Sequence, residues 1–96
     1  MAGYVIVDIE VTDAAGYAEY RKLAAPAVAA HGGKFLVRGG STTMLEGSWQ
    51  PKRLVVLEFP SVDDAKAWWA SEAYRVARDI RLRTARTNMI VVEGIA

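Results

Sequence analysis

Hydrophobic and polar positions along the chain follow two different periods, and the order of those periods predicts the fold. Residues 3–11 are β-branched and alternate, which predicts a strand with one dry face and one mixed face. Apolar side chains at helical spacing then predict a helix over residues 14–30. Thr12-Asp13 offers an N-cap for this helix, and His31-Gly32-Gly33 is expected to end it. Pro26 lies inside the helix and is expected to kink it or to begin a second short segment.

The rest of the chain predicts three further strands and more helix. Residues 34–38 form the second strand, Gly39-Gly40 fits a bulge, and strand character resumes over residues 42–46. A hairpin loop leads to a third strand over residues 52–59. Capping serines at Ser61 and Ser71 predict helical stretches up to Ile80, and a last strand is expected over residues 88–93.

The resulting order, β-α-β-β-α-β, is that of the ferredoxin-like plait. We therefore predict an α+β fold in one domain over residues 1–96, a four-stranded antiparallel sheet with two helices on one face. The other face would carry Ile6, Leu54 and Val56 beside acidic Asp8 and Glu58. Because a monomer seldom exposes so much apolar surface, we predict a homodimer with the two sheets packed face to face.

Composition narrows the classes of function. The net charge of +1, from 12 basic and 11 acidic residues, argues against nucleic acid as the main partner. The absence of cysteine excludes a disulfide framework, a thiol nucleophile and thiolate metal ligands. We see no signal-peptide pattern and no apolar run of membrane-spanning length, so we expect a cytoplasmic protein without a membrane partner.

Four segments spread over nearly the whole chain carry a family resemblance. They are Y-x-x-Y at Tyr17 to Tyr20, HGGKFLVRGG at His31 to Gly40, LEGSW at Leu45 to Trp49, and RLVVLEFPSVDDAKAWWASEAY at Arg53 to Tyr74. Together they closely resemble the domain-of-unknown-function family 1330. The resemblance implies the fold of the dimeric α/β barrel superfamily, a ferredoxin-like plait, and implies no activity. Superfamily relatives include cofactor-free monooxygenases, haem-degrading enzymes, muconolactone isomerases and stress-responsive barrels.

Three residues are candidates for catalysis: His31, Arg38 and Glu58. His31 would be a general base, or a helix-end residue whose ring meets the last carbonyls. Arg38 would stabilise a bound carboxylate or enolate, or neutralise Glu58 or Asp8. Glu58 would serve in acid–base work, or as the ion-pair partner of a strand arginine.

Four residues are candidates for ligand binding. Tyr20, Trp68 and Tyr74 would line a cleft between helices and sheet, although aromatic residues on helices more often pack in the core. Arg81 is the arginine of the basic stretch 75–86 that we expect to point inward. No second His or Cys lies at ligand spacing from His31, so we predict no metal site and no cofactor.

Two functions remain open from the sequence. The first is a homodimer that binds a small organic molecule, with cofactor-free monooxygenase-like or isomerase-like chemistry as one extension. The second is a non-catalytic, stress-related or interaction module whose polar residues only stabilise the dimer. An enclosed pocket of at least about 300 Å³ with His31 or Arg38 on its wall would favour the first.

Overall fold

The computed structural model describes residues 1–95, which form one antiparallel sheet of four strands with three helices on one side. In chain order the elements are β1 Gly3–Val11, α1 Ala14–Ala30, β2 Lys34–Arg38, β3 Leu54–Phe59, α2 Val62–Ala70, α3 Glu72–Thr84 and β4 Ala85–Glu93. The strands lie in the order β2-β3-β1-β4, which confirms the predicted ferredoxin-like topology.

The core lies between the helices and one face of the sheet. Alternation along β1 buries Val5, Val7 and Ile9 against the helices, and alternation along β3 does the same for its own odd-numbered residues. Trp68 of α2 and Tyr74 of α3 are fully buried over this face, with ring centroids 4.2 Å apart. Burying aromatic side chains of this size supplies a large share of the stabilisation of so small a domain.

The opposite side of the sheet, which we name the reverse face, has no element packed on it in residues 1–95. Strand register places Ile6 directly between Val56 and Ile90, so one apolar row crosses the central strands. The same register places Val92, and not Val91, on this face, an alternative that the sequence left open. The reverse face includes Tyr4, Ile6, Asp8, Lys34, Val37, Leu54, Val56, Glu58, Asn88, Ile90 and Val92.

Side-chain caps fix where the helices begin, as the sequence predicts. Asp13 accepts a hydrogen bond from the Gly16 amide, Ser61 from the Asp64 amide and Ser71 from the Tyr74 amide. None of the helices in residues 1–95 has the length and apolar character needed to cross a bilayer.

The alternative in which Pro26 begins a second short segment is wrong, because the helix is continuous from Ala14 to Ala30, and a kink at Pro26 stays a prediction. Proline removes one backbone donor, and the Lys22 carbonyl four residues earlier loses its usual partner. Both residues are exposed, so water can bond that carbonyl and the helix need not break.

The strand predicted over residues 42–46 is also wrong, since residues 39–53 form a loop without regular secondary structure. Pairing between β2 and β3 ends at Arg38 and Val55, and Gly39, with a φ of 77°, turns the chain away from the sheet. The bulge lies instead between Phe35 and Val37. The loop returns over the end of the reverse face, where Trp49 Nε1 donates to Asp8 Oδ2 at 3.0 Å.

Candidate functional site

A cleft of about 440 Å³ opens between the helices and the outer strand of the sheet, and we name it the β4 cleft. Trp68 and Trp69 of α2 form one wall, and Met89 and Val91 of β4 form the other. This volume suits a small organic molecule. Trp69 is 47% exposed and lies at the rim, with the Arg78 guanidinium 4.5 Å from its ring centroid.

Arg81 of α3 lies on the wall of the β4 cleft and is only 4% exposed. Helical spacing puts it on the same buried face as Tyr74 and Ala77, which confirms that it points inward. Its Nε donates to the Tyr74 hydroxyl at 3.3 Å. Within residues 1–95 no carboxylate lies at ion-pair distance from its guanidinium.

A buried guanidinium without a counterion is unusual. Charged side chains are almost never fully buried unless they are paired, because removal from water costs several kcal/mol per ion. No Asp or Glu lines the β4 cleft, and Lys66 adds a second positive charge to its wall. The electrostatics of the cleft therefore favour an anion.

Two further polar groups on the cleft wall have no partner in the described part of the chain. They are Trp68 Nε1, on a side chain that is 1% exposed, and Thr87 Oγ1. Buried polar atoms are normally hydrogen-bonded, so each such atom needs an explanation. Both atoms are closed to solvent, so a ligand oxygen in the cleft would reach them only after the surrounding side chains move.

The four predicted ligand residues form one connected cluster. The hydroxyl oxygens of Tyr20 and Tyr74 lie 2.9 Å apart, and Arg81 and Trp68 both contact Tyr74. Burial raises the pKa of Tyr20, so its hydroxyl stays protonated. Of the four, only Trp68 and Arg81 line the β4 cleft; Tyr74 bonds the guanidinium, and Tyr20 bonds Tyr74. Their roles toward a ligand stay predictions.

The three predicted catalytic residues are not brought together. Arg38 lies on the helix side of β2 with its guanidinium 4.3 Å from the Phe35 ring centroid, whereas Glu58 lies on the reverse face. The expected pairing of Arg38 with Glu58 or Asp8 is therefore wrong. Arg38 pairs with Val55, and Glu58 lies three residues from Val55 on β3, so the two side chains point to opposite sides of the sheet.

Glu58 and His31 each contact a residue close to them in the fold. Lys34 Nζ lies 3.0 Å from Glu58 Oε1, and this contact lowers the pKa of the Glu58 carboxyl. His31 Nδ1 lies 3.3 Å from the Ala27 carbonyl oxygen at the end of α1, which fits the helix-end interpretation. No group of three or more His, Cys, Asp or Glu side chains in residues 1–95 could hold a metal ion.

Sequence reasoning missed two polar residues of the cleft, Thr87 and Lys66. Thr87 falls outside the predicted last strand, which begins three residues earlier in the structure than expected. Lys66 follows Ala65 on α2 and is typical of a solvated helix position. Strand alternation from Met89 and Val91 back to Thr87 was the one signal that could have found the threonine.

Fold and site together define a class: a ferredoxin-like α+β protein with a cationic, apolar-walled cleft between helices and sheet. The chain belongs to the family described as Domain of unknown function (DUF1330), whose model matches residues 2–95. The family resemblance of the sequence is thereby confirmed. No curated protein matches the chain.

Three solved structures illustrate the similarity of fold. A protein of unknown function from Rhodopseudomonas palustris has a TM-score of 0.78 and 20% identity, over 99% of this chain and 83% of that one. SnoaB, a cofactor-independent oxygenase from Streptomyces nogalater, has a TM-score of 0.62 and 13% identity, over 99% and 93%. A dimeric protein of unknown function with a ferredoxin-like fold from Bacteroides fragilis has a TM-score of 0.60 and 16% identity, over 97% and 96%.

Proposed function

We propose that the protein binds a small organic anion with an apolar body, such as an aromatic or medium-chain carboxylate, in the β4 cleft. One observation carries this proposal: the buried guanidinium of Arg81 has no carboxylate partner in residues 1–95 and lies on the wall of a 440 Å³ cleft. A carboxylate would receive a charge-assisted fork from Arg81, and its hydrocarbon part would contact Trp68 and Met89.

The chemistry that this site would support is limited because none of the predicted catalytic residues lines it. None of His31, Arg38 and Glu58 lines the β4 cleft, so the cleft does not meet the pocket criterion set from the sequence, and the predicted base is remote from the ligand. A guanidinium also stabilises an enolate, so as an extension of binding we propose isomerisation, or cofactor-free oxygenation by O₂, of an acid that enters the cleft already as its enol, which needs no protein base to remove a C–H proton. The description of SnoaB as a cofactor-independent oxygenase supports this extension through similarity of fold.

We also propose that the protein is a homodimer with the reverse face as its interface. Ile90 is 60% exposed there and continues the apolar row through Ile6 and Val56. The chain forms a plate 16 Å thick whose broad side measures 33 by 30 Å, enough for the ~800 Å² per partner of a standard interface. The similar Bacteroides fragilis protein is dimeric, which supports the same assembly here. A cytoplasmic location stays a prediction.

The test of ligand binding is calorimetric titration with matched pairs of compounds: octanoate against octanamide, and benzoate against benzamide. We expect each acid to bind and its uncharged amide to bind at least about tenfold more weakly, since the amide cannot form a charge-assisted pair with the guanidinium. Arg81→Met should abolish that preference. Arg83→Met, an exposed arginine of the same helix, is the matched control and should preserve it.

The proposal fails if acids and amides bind equally, or if Arg81→Met and Arg83→Met behave alike. Absence of binding by every acid would instead support the interaction module, in which the polar residues only stabilise the assembly. Oxygen consumption with an enolisable acid such as phenylpyruvate separates binding from catalysis. The same rate for Arg81→Met and for the unaltered protein would refute the catalytic extension.

A further inference from the structure

A second group of arginines surrounds a different opening, on the far side of Trp68 from the β4 cleft. Arg21 of α1, Arg38 of β2 and Arg53, just before β3, all line one small cavity between α1 and the sheet. The three residues come from three separate elements, so the fold and not their sequence spacing brings them together. We name this group the arginine mouth.

The three charges of the arginine mouth are not neutralised within residues 1–95. None of the five ion pairs in this part of the chain includes Arg21, Arg38 or Arg53, and no acidic residue lines the cavity. Like charges in one partly enclosed site repel one another and raise the local positive potential. Such an arrangement attracts a multiply charged anion.

Local packing holds these side chains in position. The Arg53 Nε is buried and has no hydrogen-bond partner in the described residues. Gly39 adopts a φ of 77°, and a Cβ at that position would collide with the Arg53 guanidinium, so the glycine leaves the space that this side chain occupies. Arg38 is held by its contact with the Phe35 ring.

The size of the cavity limits the ligand. It measures about 30 Å³, roughly the volume of one water molecule, and its inner walls are formed by core residues such as Val7 and Leu57. No carbon skeleton fits inside, so recognition would occur at the mouth through the charged group alone. A guanidinium fork matches the tetrahedral oxygens of phosphate, and three forks suit a dianion better than a monoanion.

We propose that the arginine mouth is a binding site for a phosphate dianion, either free or as the terminal group of a small phosphate monoester. This site is separate from the β4 cleft, and its occupant differs in charge and in the lack of an apolar body. The two proposals therefore stand or fall independently.

The test is titration of the full chain with inorganic phosphate and with methyl phosphate, at constant ionic strength set with sodium chloride. We expect both to bind, and we expect Arg38→Gln and Arg21→Gln each to weaken binding by at least about tenfold through loss of a charge-assisted pair. Arg75→Gln, an exposed arginine with its own acidic partners, is the control and should leave phosphate affinity unchanged.

Methyl phosphate separates the two sources of the group. If both probes bind equally, the site accepts the terminal phosphate of a monoester as well as free phosphate. If only inorganic phosphate binds, the site accepts the free ion alone. If Arg53→Gln folds, we expect it to weaken phosphate binding as well. If it does not fold, the phosphate affinities of Arg21→Gln and Arg38→Gln test the proposal. The proposal is overturned if neither probe binds, or if the variants lose no more affinity than Arg75→Gln.

Discussion

Replacing Arg81 with methionine should make the ligand-free protein more stable while it removes ligand binding. The substitution removes a guanidinium that is 4% exposed and has no counterion in residues 1–95. Methionine has a similar length and helix propensity, so the packing of α3 changes little. Relief of the desolvation cost is worth several kcal/mol, and the lost hydrogen bond to Tyr74 costs about 1 kcal/mol.

The net gain expected for Arg81→Met is therefore about 1–3 kcal/mol, which corresponds to a rise of at least about 4 °C in the unfolding midpoint of a domain of this size. Differential scanning calorimetry at one fixed protein concentration measures it, because the midpoint of a dimer depends on concentration. Arg83→Met should change the free energy of unfolding by less than about 0.5 kcal/mol. A midpoint for Arg81→Met below that of the unaltered protein would show that Arg81 stabilises the fold, and our reasoning would be refuted.

Three further predictions follow from the described contacts. Tyr74→Phe should lower the free energy of unfolding in urea by about 1–3 kcal/mol, since two buried polar groups lose their shared partner, and Tyr17→Phe should change it little. Ile6→Asp should convert the proposed dimer to monomers in sedimentation, and Val76→Asp, on the outside of α3, should not. Glu58 has a pKa lowered by its contact with Lys34, so its contribution to stability is present above its ordinary value of 4.5 and is lost as the pH falls below it. Urea unfolding should therefore show less acid sensitivity for Glu58→Gln, and an unchanged pH profile would contradict that assignment.

Strand alternation and capping residues made most of the fold predictable. Val5, Val7 and Ile9 on one face of β1 and Ile6 on the other required only a period of two, and Ser61 and Ser71 marked their helices correctly. Residues 42–46 were misassigned because β-branched threonines favour a strand only where a neighbouring strand is available to bond. That information is absent from local sequence.

The site was predictable where it depends on helix periodicity and not where it depends on sheet pairing. Arg81 follows Tyr74 and Ala77 at helical spacing, and its burial could be inferred from that face. Strand alternation placed Glu58 on the reverse face correctly, but the side taken by Arg38 depends on the bulge between Phe35 and Val37, which shifts the alternation of β2 by one residue. A shift of one residue exchanges the two faces of a strand, so the local sequence could not place Arg38.

Nuclear magnetic resonance of the three indole N–H groups during titration with octanoate tests the account most directly. Trp68 and Trp69 line the β4 cleft, whereas Trp49 lies in the loop over the reverse face and serves as an internal control. We predict that the signals of Trp68 and Trp69 move to saturation, that the signal of Trp49 stays in place, and that none moves in Arg81→Met. Unmoved signals for Trp68 and Trp69 at saturating octanoate, or equal movement in Arg81→Met, would contradict an anion site at Arg81.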